Sequence, residues 1–148
     1  MIYSKSAEYA IRALIHLARM PSGTAVHSRD IAQDEQLPPG LLAKVLQNLA
    51  SEGLLRSTRG PTGGFELSCD PDSIRLLDVV FVVDHGSPKH RQCAIGCGTK
   101  CSPARPCTMH EYWQGIRPLI ETLLREHTLG DLVRHETARA SSHPRRRN

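Results

Sequence analysis

The chain has 148 residues, enough for one domain with a real core, or for one domain carrying an extended arm. Its net charge of +4 is lopsided: Arg145, Arg146 and Arg147 sit together near the end, and elsewhere basic and acidic side chains nearly balance. Net charge alone is therefore no argument for nucleic acid, and the placement of charge must carry that case. With one Trp, three Tyr and two Phe, the interior must be built mainly from Leu, Ile, Val and Ala. No apolar run reaches membrane-spanning length and no secretory pattern opens the chain. Those features predict a cytoplasmic protein with no membrane partner, in which clustered cysteines favour metal binding or redox chemistry over structural disulfides. No residue set resembles a hydrolytic triad or a nucleotide-binding loop, so no enzymatic activity is expected.

In chain order, residues 4–19 show helical periodicity, with Ala7, Ala10, Ile11, Leu14, Leu17 and Ala18 on one face and Lys5, Glu8, Arg12, His16 and Arg19 elsewhere. Pro21, Ser22 and Gly23 end that helix. Ser28 is a candidate N-cap for a short second helix through Ile31 and Ala32. After a turn at Leu37-Pro38-Pro39-Gly40, a third helix is predicted from about Pro39 to Glu52, with Leu42, Val45, Leu46 and Leu49 inward and Gly53 as its stop. Two short helices joined by a tight turn form a helix-turn-helix candidate. Leu54 to Thr58, a Gly/Pro-rich tip at residues 59–64, and Phe65 to Leu67 read as a hairpin, and a hairpin directly after a recognition helix is a wing.

Residues 73–84 form an apolar run that periodicity cannot divide between strand and helix; helix is favoured because it places Asp78 and Asp84 together on the less buried side. The stretch CAIGCGTKCSPARPCTMH follows, with four of the five cysteines at Cys93, Cys97, Cys101 and Cys107 and with His110 closing it. Gly96, Gly98, Pro103 and Pro106 break any continuous helix, so this is a loop. Lys89, Arg91, Lys100 and Arg105 surround it with no acid between, which suits several thiolates. Residues 109–127 carry the longest helical pattern, with an apolar stripe of Trp113, Ile116, Ile120, Leu123 and Leu124 assigned mainly to a dimer seam, and a bend expected at Pro118. Thr128 can cap a last short helix holding Leu129, Leu132 and Val133.

The predicted fold is mostly α with a small β-hairpin wing: a winged helix-turn-helix plus a long C-terminal dimerisation helix. Its divisions are a DNA-binding domain over 1–84, a cysteine-rich loop over 85–108, the dimerisation and closing helices over 109–135, and a disordered basic tail over 136–148.

Candidate contacts to double-stranded DNA are Ser28, Pro39, Gly40, Ala43, Lys44, Gln47 and Asn48 on the helices. On the wing they are Arg56, Ser57, Arg59, Gly60, Thr62, Gly63 and Gly64. Lys44, Gln47 and Asn48 have the groups that major-groove base edges require. Arg59, at a glycine-rich tip, suits a narrow minor groove. The cysteine and histidine side chains are soft-metal ligands, and on spacing alone zinc and an iron–sulfur cluster stand level.

The segment Ser4 to Leu17, the wing RGPTGGF, Cys93, Cys101 and Cys107 followed by His110 and Trp113, and TLGDLV at 128–133 together resemble the iron–sulfur-linked winged-helix repressors typified by IscR, NsrR and RirA. The resemblance covers roughly residues 1–135. It implies a homodimeric, operator-binding transcriptional regulator that reports redox, iron, nitric oxide or cluster status through a 2Fe–2S or 4Fe–4S cluster. The implied ligands are Cys93, Cys101 and Cys107, with Cys97 as an extra thiol that could replace Cys93. A fourth ligand would come from His110 or from Glu8 on the first helix, which in such dimers can belong to the partner subunit. The family's base-reading positions fall here on Gly40 and Ala43, which are poor in hydrogen-bonding groups. The alternatives are a metal-free thiol/disulfide sensor and a zinc-stabilised DNA-binding module.

Overall fold

A computed structural model describes residues 3–84 and 102–142. Among these residues the order is α1 (Lys5–Ala18), α2 (Ser28–Asp34), α3 (Pro39–Ser51), β1 (Leu55–Thr58), β2 (Gly64–Leu67), α4 (Leu76–Val83), α5 (His110–Glu126) and α6 (Leu129–Ser142), with a 3₁₀ turn at Pro71–Ser73 before α4. No helix among the described residues is long and apolar enough to cross a membrane.

Helix α1 is the centre of the body, and α3, α4 and α6 all pack on it. Its contact face is small: Ala7, Ala10 and Ala13 are fully buried beside Leu14 and Leu17, so neighbouring backbones can come close. The expected apolar face is correct in its centre but not at its edge. His16, placed elsewhere in the sequence reading, is 6% exposed. Its ring lies 3.2 Å from Glu35 Oε1, so a polar partner at the end of α2 makes that burial tolerable.

Helix α2 begins at Ser28, but its cap is His27 and no side chain fills the capping role, which corrects the expectation for Ser28. The turn to α3 passes through Gln36 with φ +52. Pro39 then occupies the first turn of α3, where its missing N–H costs nothing. Leu42, Val45, Leu46 and Leu49 are buried as expected, and Gly53 at φ +82 ends the helix region.

The wing strands pair antiparallel in the register Leu55↔Leu67, Arg56↔Glu66, Ser57↔Phe65 and Thr58↔Gly64. Phe65 also bridges back to Val26, through Val26 N–H to Phe65 O at 3.0 Å and Phe65 N–H to Val26 O at 2.8 Å. The hairpin is thus fastened to the segment entering α2.

The apolar run after the wing is helical, as favoured, yet the reason given for it fails. Asp78 is exposed, whereas Asp84 is only 2% exposed. Asp84 Oδ1 accepts the Ser4 hydroxyl at 2.5 Å and Oδ2 accepts the Ser4 backbone N–H at 3.4 Å. Ser4 Oγ in turn accepts the Ala7 N–H at 3.1 Å as the N-cap of α1. The end of α4 and the start of α1 therefore form one hydrogen-bonded corner, immediately before residue 85.

Helix α5 continues through Pro118 to Glu126 and buries only Leu124, with Ile120 partly covered. Tyr112 at 70%, Leu119 at 70% and Leu123 at 53% exposure stand open, with Met109 and Ile116 beside them. This divides the expected stripe: Ile120 and Leu124 turn toward the core, Trp113 is half-buried, and Ile116 and Leu123 stay outward with Met109, Tyr112 and Leu119.

Thr128 caps α6 as expected. Its Oγ1 accepts the Asp131 N–H at 3.2 Å, and Asp131 Oδ2 accepts the Thr128 N–H at 2.9 Å, a reciprocal capping box. These bonds, joined by the Arg134 guanidinium, hold the Asp131 carboxyl at about 2, below its ordinary 3.8. The closing helix is longer than expected and runs to Ser142, so residues 136–142 are helical rather than tail. It returns to the body through Arg134 to Asp72 at 2.6 Å and Glu136 to Arg19. The Glu136 contact raises the affinity of the Arg19 guanidinium for its proton. Residues 143–148 lie outside the described residues.

Candidate nucleic-acid interface and cysteine segment

The outer side of α3 presents Pro39, Gly40, Lys44 and Gln47, all exposed, with Ala43 half-buried between them. Leu41, at 38% exposure, belongs to the same surface and was missed, because an apolar residue in a helix reads as core. Asn48 does not belong to it. Asn48 is half-buried, and its side-chain amide donates to the Val82 carbonyl at 3.4 Å, tying the recognition helix to α4. Only the packing of α4 across α3 shows this, and nothing local in the sequence signals it.

The wing tip is drawn against α2. The His27 ring Nε2 lies 3.0 Å from the Pro61 carbonyl oxygen, and Gly63 N–H closes the tip turn onto Gly60 O at 3.0 Å. Gly64 sits at φ +137, and a Cβ there would fall 2.4 Å from Val26 O and 2.9 Å from His27 N. A glycine is required where the hairpin crosses the α2 entry at that distance.

Arg59, Gly60 and Thr62 are exposed at the tip, and Arg59 has no ion-pair partner among the described residues. Arg56 differs: its Nε lies 3.2 Å from Glu66 Oε1, directly across the strand pair. Such an exposed pair is worth roughly 0–1 kcal/mol and is readily exchanged for a phosphate. Ser28 is half-buried at the first residue of α2, and Arg29 beside it, 82% exposed at its side chain, is a cation the sequence reading passed over.

Of the cysteine segment, Cys93, Cys97 and Cys101 lie outside the described residues. Cys107 is half-buried in the turn that starts α5, and its carbonyl accepts the His110 N–H at 3.0 Å. The His110 ring Nε2 stands 2.6 Å from the side-chain nitrogen of Gln114, one turn along. Among the described residues no three His, Cys, Asp or Glu side chains converge as a metal site. Glu8 lies in the first turn of α1, half-buried, with Lys5 Nζ at 2.8 Å, and this contact raises the proton affinity of Lys5. Trp113 places its indole Nε1 in a buried position with no hydrogen-bond partner among the described residues.

Comparison with known proteins agrees with this arrangement. A family model for Rrf2, an iron-dependent transcriptional regulator, matches residues 3–135. Rv1287 of Mycobacterium tuberculosis, which carries the name of an HTH-type transcriptional regulator, is 35% identical over 133 residues, covering 90% of this chain and 81% of its own. The transcriptional regulator IscR of Escherichia coli is 28% identical over 136 residues, with 92% and 82% covered. Among solved structures, CymR of Bacillus subtilis, described as its global cysteine regulator, superposes with a TM-score of 0.69 at 26% identity, covering 91% of this chain and 98% of that one. The T. potens IscR structure shares the fold, with a TM-score of 0.69 at 23% identity over 92% and 88% of the two chains. A winged helix-turn-helix with an exposed α3 face, a glycine-built wing and a family match over nearly all of its length makes this chain a DNA-binding transcriptional regulator of the Rrf2 family.

Proposed function

We propose that the regulator works as a homodimer whose segment 93–110 holds an iron–sulfur cluster through Cys93, Cys101 and Cys107. His110 or Glu8 would complete the set, and Cys97 is a spare thiol. The observation that carries the reading is the start of α5: Cys107 and His110 are joined by a backbone hydrogen bond in one turn, and a buried indole N–H that finds no acceptor among the described residues follows in the next. Soft thiolate and imidazole donors fit iron–sulfur ligation, and a bound cluster would supply a group whose stability responds to oxidants, nitric oxide or iron supply.

The chain's own residues supply the coupling. The Ser4–Asp84 corner joins the residue preceding the cysteine segment to α1. Asn48 joins α4 to the recognition helix. The outward stripe Met109, Tyr112, Ile116, Leu119 and Leu123 recurs at steps of three and four, the spacing of a helix seam, and fits a second copy of α5. In a dimer, the orientation of α5 sets the separation of the two recognition helices, to which half-site binding is sensitive. Contacts to DNA are assigned to Lys44 and Gln47 on α3 and to Arg59 at the wing tip, with Arg56 exchanging Glu66 for phosphate.

Anaerobic reconstitution with iron and sulfide tests the reading. Coloured protein with stoichiometric iron and sulfide is expected, and Cys107→Ala should lose the colour while staying folded. The likeness to CymR supports a second reading, a metal-free sensor in which a pair such as Cys93 and Cys101 forms a disulfide. Colourless protein with a reversible disulfide would establish that reading instead. Colourless protein with stoichiometric zinc would establish a structural metal.

A further inference from the structure

We propose that His27 is a positioning residue of the DNA interface: its imidazole holds the wing tip so that Arg59 is presented to DNA at one place. The inference rests on the assignment of Arg59 to DNA made above. His27 stands at the N-cap of α2, where a small oxygen-bearing side chain ordinarily accepts from the first turn. Its ring makes no such capping bond. It is turned instead to the hairpin, with Nε2 3.0 Å from the Pro61 carbonyl oxygen. A carbonyl only accepts, so Nε2 is the nitrogen that carries the hydrogen and donates.

The backbone passes that hold on to Arg59. Gly63 N–H closes the tip turn onto Gly60 O at 3.0 Å. Gly63 also packs so closely on the first strand's end that a Cβ there would fall 2.2 Å from Thr58 O and 2.8 Å from the Arg59 carbonyl carbon. Gly64, the next residue, lies against the Val26 and His27 backbone. The base of the tip is thus pinned between Arg59 and the entry to α2, while Arg59 to Thr62 stand exposed. Among the described residues, the His27 bond to Pro61 is the hydrogen bond that ties this outer part to anything beyond the hairpin. Without it, Arg59 would ride on a turn closed only on itself. DNA binding would then have to order that turn, at a cost in conformational entropy.

The test is a double-mutant cycle between His27→Ala and Arg59→Ala in the full-length protein. The probe is the duplex that the wild-type protein enriches from a random-sequence pool. His27→Ala removes no capping bond, so its urea midpoint should stay near that of wild type. It should bind the duplex about three- to tenfold more weakly, the range of one lost hydrogen bond. In the Arg59→Ala background the same change should weaken binding by less than about twofold. His27→Gln, which keeps an N–H at similar reach, should recover most of the affinity. A His27→Ala loss of equal size in both backgrounds overturns the inference, because a general structural defect would add to the loss of Arg59. Unchanged affinity in His27→Ala, or a His27→Gln protein no better than His27→Ala, overturns it too. Each of these leaves the DNA assignment of Arg59 standing. An Arg59→Ala protein that binds as tightly as wild type overturns that assignment and this inference with it. If His27→Ala does not fold, the cycle is run with His27→Phe, which keeps a ring and removes the donor, and the same outcomes decide.

Discussion

Replacing Gly64 by alanine tests how the wing is held to the helix-turn-helix. The new Cβ would meet Val26 O at 2.4 Å, Val26 C at 2.5 Å and His27 N at 2.9 Å, all of them backbone atoms that cannot rotate away. Restoring ordinary contact needs the 26–27 stretch to retreat by about 1 Å. That movement breaks the two Val26–Phe65 backbone hydrogen bonds, worth roughly 0.5–1.5 kcal/mol each. The alternative is to leave φ +137, a conformation that strains alanine by roughly 1–3 kcal/mol. Either route costs about 1–3 kcal/mol, a sizeable part of a stability of roughly 5–15 kcal/mol. Urea unfolding should show a lowered midpoint with an unchanged slope, and operator affinity should fall as the tip leaves α2. Gly40→Ala is the control: a Cβ there meets nothing within 4 Å, and the change should be neutral or stabilising by up to about 1 kcal/mol. A Gly64→Ala protein within about 0.5 kcal/mol of wild type would refute the close-approach argument, as would equal losses at both glycines.

Four further outcomes are expected. Arg59→Ala should weaken operator binding and reduce the salt slope by about 1, with stability unchanged within about 0.5 kcal/mol; competition binding over a salt series measures both. Leu119→Glu, at a side chain 70% exposed in the chain, should yield a monomer by sedimentation without loss of helix content. Ser4→Ala removes the α1 cap and leaves Asp84 buried with one weak partner, a loss of about 2–4 kcal/mol by chemical denaturation. Asp131 is held at about 2 against an ordinary 3.8, so its contribution is complete above 3.8 and is lost as pH falls toward 2. Asp131→Asn should remove that acid dependence from the melting curve and leave the curve at pH 7 lower but flatter in this window.

The elements were legible where period and punctuation agree. Alanines and leucines at helical spacing revealed α1, Pro39 and Gly53 bounded α3, and RGPTGGF revealed the wing. What escaped depends on tertiary partners. His16 and Asp84 look like surface residues until Glu35 and Ser4 are brought to them. Asn48 has the right chemistry for a base edge, but the Val82 carbonyl claims it. On α5 both stripes are apolar, and the chain's own body selects Leu124 and Ile120, leaving Leu119 and Leu123 outside. The length of α6 was missed because Arg134 and Glu136 hold a polar segment to the body by ion pairs rather than by apolar burial.

The sparse burial of α5 has a mechanical consequence. Leu124, near its C-terminal end, is its single buried residue, and Leu129 and the α6 ion pairs fix the chain just beyond. The other end carries His110, fourteen residues away along a rod of about 1.5 Å per residue, or roughly 21 Å from the anchor. A tilt of about 10° around Leu124 would move the His110 end by roughly 3–4 Å at that rise per residue. Helix α5 is thus held at its Leu124 end, and in the proposed dimer a rearrangement at Cys107 would tilt it about that point and shift the spacing of the two recognition helices.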